Sequence, residues 1–274
     1  MDRVTRAESA SGHAAPINVA RRSSEVLRWL IFIAVMMGGW EIGARLYGSP
    51  FLLPAPSSIF TELGKAPGVF WSNFLVTTQE IVVGFVLGSG TALLAATALL
   101  GVPAWLEDFI FKAVSTLNSI PFVALASLVV VWIGVNGIGS KVAIAGLYAF
   151  FALVYHSHQS MKGTERMKEE LLISYGANFG QRLWLLKFPA SLPVVMVSLK
   201  GAAMAAVNGA IVGELFGAFQ GLGFMILDSR YVGNTSRVFL AALGCAVVGW
   251  VLLALLGALE ARVVRWHFES TRQR

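Results

Sequence analysis

The chain of 274 residues is 56% hydrophobic and only 13% charged, with a mean hydropathy of +0.70, whereas soluble domains spend about a quarter of their residues on charge. This is the composition of a membrane protein; its formal net charge of +6 comes from Lys and Arg dispersed between apolar runs, a pattern that sets membrane orientation rather than one that binds nucleic acid. The single cysteine, Cys245, lies inside an apolar run, which excludes a disulfide framework or cysteine metal cluster within one chain and leaves it as a small packing residue.

Residues 1–20 lack periodicity, and the stretch 1–26 is expected to be a disordered tail. Crossing the hydrocarbon of a bilayer takes about 20 mostly apolar residues, and six stretches reach that length: 27–47, 77–101, 109–134, 140–158, 192–217 and 238–259. Arg21, Arg22 and Arg28 precede the first like the positive region of a signal peptide. Its length, and the poor cleavage site in EIGARLYGSP that follows, make it a span instead. The third stretch is interrupted by Lys112, Asn118 and Pro121 and reads as a polar lead-in helix feeding a Pro-kinked span. The fold class expected is therefore an all-α membrane protein, with a six-helix domain over 27–266 and a short tail at 267–274. Sorting the basic residues by this topology puts sixteen on one side and five on the other, together the 21 of the chain. Lys and Arg collect in cytoplasmic loops, so both termini and the 159–191 loop are expected in the cytoplasm.

Within the spans, Gly84 and Gly88 are explained by the general abundance of glycine in membrane helices. Residues 134–141, GVNGIGSK, come near the phosphate-cradling GxxxxGK[ST] pattern, but Ser140 stands where its Lys must be. Gly134, Gly137 and Gly139 read as a tight turn between spans three and four. His156 and His158, two apart at the end of span four, suit a solvated or interfacial role, and no metal site is expected. In span five, Gly201, Ala205, Gly209, Gly213 and Gly217 recur every four residues. Such a small-residue face lets helices approach closely in lipid, so span five is expected to pack centrally in the bundle or against a second copy. Ionisable and amide groups in a membrane commonly face a bundle interior or a cavity, which makes Glu214, Asn118 and Asn208 the candidates for a translocation path.

Between spans four and five lies KGTERMKEELLISYGANFGQRLWLLKFPASLP, residues 162–193. Met167, Leu171, Leu172 and Tyr175 recur on one helical face. Gly176 follows where a left-handed residue is wanted, Asn178 can cap a second helix with Gln181 reaching back, and Pro189 is expected to end that helix. Phe179, Leu183 and Leu186 form the second apolar stripe. Helices this short need a surface to pack on, either the membrane and the chain's own helices or a groove on a cytoplasmic partner.

Glu170-Leu171-Leu172, three residues, Gly176, nine residues beginning with Ala177, then Leu186-Lys187-Phe188-Pro189 resembles the EAA loop of binding-protein-dependent ATP-binding-cassette importer permeases, whose pattern is Glu-Ala-Ala, three residues, Gly, nine residues, Ile-x-Leu-Pro. The spacing agrees at every step; Leu replaces both alanines, Leu186 replaces Ile and Phe188 replaces Leu. LNSIPFVALASLVVVWIGVNGIGSKVAI at 117–144, GELFGAFQGLGFMILDSR at 213–230, LEARVVRW at 259–266 and WEIGARLYGSPFLLPAPSSIF at 40–60 are similar to segments of the sulfonate, taurine and nitrate branch. The resemblance implies a type I permease fold whose coupling loop, 162–191, binds an ATPase through Glu170, Leu171, Leu172, Gly176, Ala177, Leu186 and Pro189. It implies a homodimer in a bacterial inner membrane, with lipid around it, a cytoplasmic ATPase dimer that binds the ATP, and an extracytoplasmic solute-binding protein. No catalytic residue or cofactor is then expected in this chain, and a sulfonate-like, taurine-like or nitrate-like anion is the expected cargo. Gradient-driven secondary transport and a non-transporting scaffold remain as alternatives.

Overall fold

The computed structural model describes residues 19–135 and 137–264, with side chains from residue 27 onward. Residues 1–18 and 265–274, which include most of the two expected tails, lie outside the described residues. All regular structure among the described residues is helical. The chain divides into two compact units, residues 1–57 and 58–274.

In the first unit α1 (Val19–Tyr47) covers the first expected span and begins inside the stretch expected to be a tail. Near its end Glu41 accepts hydrogen bonds from the Arg45 guanidinium (2.7 Å), the Ser57 hydroxyl (2.7 Å) and the Ser57 backbone N–H (3.0 Å). These bonds fasten the end of α1 to Ser57, the last residue of this unit; α2 (Pro56–Lys65), which starts there, opens on a proline whose fixed φ suits that position.

The second unit holds α3 (Pro67–Leu99), α4 (Ala104–Asn118), α5 (Phe122–Ile133), α6 (Gly139–Lys162), α7 (Arg166–Ser174), α8 (Phe179–Arg182), α9 (Phe188–Gly217), α10 (Leu222–Tyr231) and α11 (Thr235–Val263). Five helices among the described residues are long and apolar enough to cross a membrane, or six if α4 and α5 form one broken span. The break falls at Ser119–Pro121, where the proline lacks an N–H and disfavours helical geometry in the residue before it, and the two pieces are bent by 93°. Three threonines of α3 satisfy their hydroxyls locally, where nothing in hydrocarbon would replace water: Thr78, Thr91 and Thr97 each donate to the carbonyl four residues back.

Two differences from the expected boundaries bear on the site. Span two starts at Pro67, ten residues earlier than its apolar run, because the N-terminal turns are amphipathic and pack through Phe70 and Asn73. Pro189 does not end the helix before span five; α8 passes through a π-helical turn (Leu183–Lys187) straight into α9, so Phe179–Gly217 is one continuous helix. In the π turn the N–H of Phe188 donates to the carbonyl of Leu183, five residues back. Pro189 falls in the first turn of α9, directly after this wider turn, and Pro193 is carried inside the helix four residues on.

The core lies where α3, α6 and α9 meet, and it is built from alanine: Ala92, Ala145, Ala149, Ala202, Ala206 and Ala210 are fully buried, with Ile81 and Leu153 filling the gaps. Small side chains let the backbones approach. Gly84 and Gly88 belong to this contact, which corrects the bland explanation for them. A Cβ at Gly84 would fall 2.5 Å from that of Ala145, and one at Gly88 would fall 2.7 Å from the Cα of Gly146. Of the span-five stripe, Gly209 and Gly213 face α6 and Gly217 faces Val130 and Val135, whereas Ala205 is half-buried and Gly201 has no neighbour. Central packing holds for the second half of the stripe. Cys245 is buried and free.

Candidate functional site

The loop after α6 begins with α7, whose apolar stripe points into open space: Met167 is 82% exposed, Leu171 55% and Tyr175 81%. Leu172 is half-buried. The helix ends as the sequence predicts, in a left-handed Gly176 with φ of 79°. The N–H of Ala177 bonds to the carbonyl of Leu172 (3.0 Å) and that of Gly176 to Ile173 (2.9 Å), which together make a Schellman ending. The capping box that follows is also present: Gln181 N–H donates to the Asn178 side chain at 2.9 Å, and the Gln181 side chain accepts from Asn178 N–H at 2.8 Å. Glu170 is exposed and pairs with Arg166 at 2.8 Å, Leu186 is half-buried, and Pro189 lies in the first turn of α9.

Sequence reasoning missed Glu169. Its carboxylate accepts from Arg182 Nη1 (3.1 Å) and Lys187 Nζ (2.8 Å), joining α7 to α8 and to the π turn. The partners lie 13 and 18 residues away, beyond the range of helical spacing rules.

A Gly176→Leu substitution is expected to impose about 1–2 kcal/mol of left-handed strain and to undo the Schellman ending. Amide hydrogen exchange at Ala177 and Asn178 should accelerate at least tenfold. An unchanged pattern there would show that the turn does not depend on the glycine.

At the opposite end of the bundle, Glu214 is 1% exposed. It accepts from the Thr77 hydroxyl at 2.6 Å and from the Gly223 backbone N–H. Thr77 in turn accepts from Leu222 N–H (2.7 Å), and Asn73 from Gly221 N–H (2.7 Å). These side chains replace water for the turn between α9 and α10, where Gly221 has φ of 114° and a Cβ would strike the Glu214 carboxyl group. Glu214 is thus closed inside the chain rather than open to a path. Asn118, at the bend between α4 and α5, and Asn208, midway along α9, are both exposed; the structure does not bring the three candidates together. Lys141 closes the glycine turn by donating to the carbonyls of Val135 (2.7 Å) and Gly137 (3.0 Å).

The family model for the inner membrane component of binding-protein-dependent transport systems matches residues 84–265. The chain belongs to this family. It is 30% identical to a formylaminopyrimidine transport permease protein of Halalkalibacterium halodurans, with 90% of this chain and 98% of that one covered. Over 86% of this chain and 89% of the relative it is 30% identical to a riboflavin transport system permease protein of Chloroflexus aurantiacus. A putative aliphatic sulfonates transport permease protein of Bacillus subtilis is 27% identical, with 88% of each covered. The protein is therefore a multi-pass membrane permease subunit of an ATP-binding-cassette importer, not an enzyme in its own right.

His158 of the permease corrects another expectation. Instead of a solvated position it is fully buried, with Nδ1 3.0 Å from the carbonyl of Ala96 and Nε2 3.0 Å from Glu107 Oε1; His156 is the exposed one. A carbonyl only accepts, so Nδ1 carries a proton. Lys162 also reaches Glu107, at 2.6 Å, and Phe111 lies against the imidazole with ring centroids 4.8 Å apart. The cluster ties α3, α4 and α6 together next to the loop. His158→Leu should cost about 1–3 kcal/mol by leaving the buried Ala96 carbonyl without its donor, read as a lower unfolding midpoint in a denaturing-detergent titration.

Proposed function

We propose that α7 to α9 form the coupling loop through which a separate ATP-binding-cassette ATPase drives this permease. The observation that carries the reading is the exposed stripe of Met167, Leu171 and Tyr175 on a helix fixed by two capped turns, at the positions of the Glu-Leu-Leu and Gly pattern. A stripe this apolar is stable in water only when covered. The ATP is bound by the ATPase dimer in the cytoplasm, and the excess of basic residues on one side supports a cytoplasmic loop and cytoplasmic termini. Two copies of the permease frame the path in the inner membrane, and a solute-binding protein delivers cargo from outside.

For the cargo, the two relatives of 30% identity are named for formylaminopyrimidine and riboflavin, which supports a small nitrogen heterocycle. The exposed amides of Asn118 and Asn208 offer both donors and acceptors to such a ring. A sulfonate-like anion is the second reading, favoured by the 27% relative.

Co-expression with a candidate ATP-binding-cassette ATPase, followed by pull-down of the permease from detergent, tests the loop. Native chain should retain the ATPase and Glu170→Arg should retain at least tenfold less. Solute movement by the purified permease alone, driven by an ion gradient, would replace this reading with secondary transport. In reconstituted complex, uptake competed by an aminopyrimidine but not by an alkyl sulfonate would select the first cargo.

A further inference from the structure

A coupling loop has to move as a body, and the packing of α7 does not make it one. Its apolar side chains Met167, Leu171 and Tyr175 are exposed, and its backbone runs on to α8 through the turn at Gly176. The two backbone bonds at that turn, Gly176 N–H to Ile173 and Ala177 N–H to Leu172, close the end of α7 on itself and do not set its bearing against α9. Lys168 and Arg166 pair within the helix or with the residue before it, to Glu165 and Glu170. Among the described residues, the ion pairs that cross from α7 to the rest of the chain are those of Glu169 with Arg182 and Lys187.

Their geometry differs from that of an ordinary surface pair. Each carboxylate oxygen takes its own donor, Oε1 from Arg182 Nη1 at 3.1 Å and Oε2 from Lys187 Nζ at 2.8 Å. The side chains are 23% exposed for Glu169 and Arg182 and 9% for Lys187. Partly buried and two-pronged, the pairs are screened less by salt than exposed ones and fix direction as well as distance. One prong reaches α8. The other reaches Lys187, the last residue of the π turn, through which the loop becomes α9.

We propose that Glu169 is the positioning residue of the coupling loop: its two-pronged salt bridge locks α7 onto the base of α9, so that displacement of α7 by a bound ATPase is passed to α9 instead of being lost by pivoting at Gly176. This rests on the coupling reading above. Glu169 need not touch the ATPase, because its oxygens are turned toward Arg182 and Lys187.

Two label pairs separate the proposal from the reading it rests on. In the permease alone, spin labels at Met167→Cys and Trp184→Cys, both exposed, report the order of the loop, and the buried Cys245 stays unlabelled. The native distance distribution should be narrow, and Glu169→Gln should widen it at least twofold. In a complex with a co-purified ATPase, labels at Trp184→Cys and Leu94→Cys report motion of the base of α9 against α3. The shift caused by ATP and vanadate, per bound ATPase, should fall at least threefold in Glu169→Gln. It should return when Glu169→Cys and Lys187→Cys are joined by a short bismaleimide. An unchanged loop distribution, or a loosened loop with the full ATP-driven shift, would overturn the proposal. If the native chain captures no ATPase while its loop distribution is narrow, the coupling reading fails and takes the proposal with it.

Discussion

Gly88→Leu is expected to separate α3 from α6 and to abolish the stable bundle in mild detergent. A Cβ at position 88 would lie 2.7 Å from the Cα of Gly146 and 2.8 Å from its carbonyl carbon, with the carbonyl oxygen closer still. Those are backbone atoms of a buried helix, so no side-chain rotation relieves the clash. Overpacking a core costs about 1–3 kcal/mol where neighbours can give way, and here the neighbour cannot. A loss of 3 kcal/mol or more corresponds to more than a hundredfold change in the folded population. The midpoint of a denaturing-detergent titration should drop far below that of Gly201→Leu, whose Cβ meets nothing within 4 Å. Equal midpoints for the two variants would show that the α3–α6 approach does not hold the bundle together.

The second large effect is expected at Glu214. Glu214→Leu leaves the Gly223 N–H and the Thr77 hydroxyl without their acceptor. Each orphaned buried donor costs about 1–3 kcal/mol, and the loss passes along the chain of bonds, since the Leu222 N–H relies on the same hydroxyl. Glu214→Gln keeps one carbonyl acceptor and should retain about half of the stability. Hydrogen exchange at Leu222 and Gly223 should accelerate by two orders of magnitude or more in the leucine variant. Protection at native levels, together with altered uptake, would return Glu214 to the translocation path.

The parts of the loop governed by neighbours in sequence were readable before any coordinates. Gly176 as the left-handed ending and Asn178 with Gln181 as the capping box depend on residues no more than five apart, and both occur as expected. Glu169 was placed off the apolar face, and nothing in its surroundings shows that Arg182 and Lys187 fold back onto it. His158 failed for a similar reason: Glu107, 51 residues earlier, is brought beside it only when α4 packs on α6. Gly88 is indistinguishable from any membrane glycine until Gly146 faces it across the bundle. Pro189 failed differently. The rule that proline ends a helix concerns a helix interior, whereas Pro189 falls in the first turn of α9, directly after the π turn of LWLLK.

That π turn has a rotational consequence. One residue of an α-helix corresponds to about 100° around its axis, so the additional residue in the turn at Leu183–Lys187 resets the angular phase between α8 and α9 by roughly that amount. Phe179 and the capping box can therefore face one way while Ala202, Ala206 and Gly209 face α6, although both belong to a single continuous helix. Deleting one residue from the turn would turn α8 against α9 by about a quarter of a revolution and carry Arg182 away from the position at which it meets Glu169. The segment acts as an indexing joint, setting the bearing at which the loop leaves the bundle independently of how the bundle is packed.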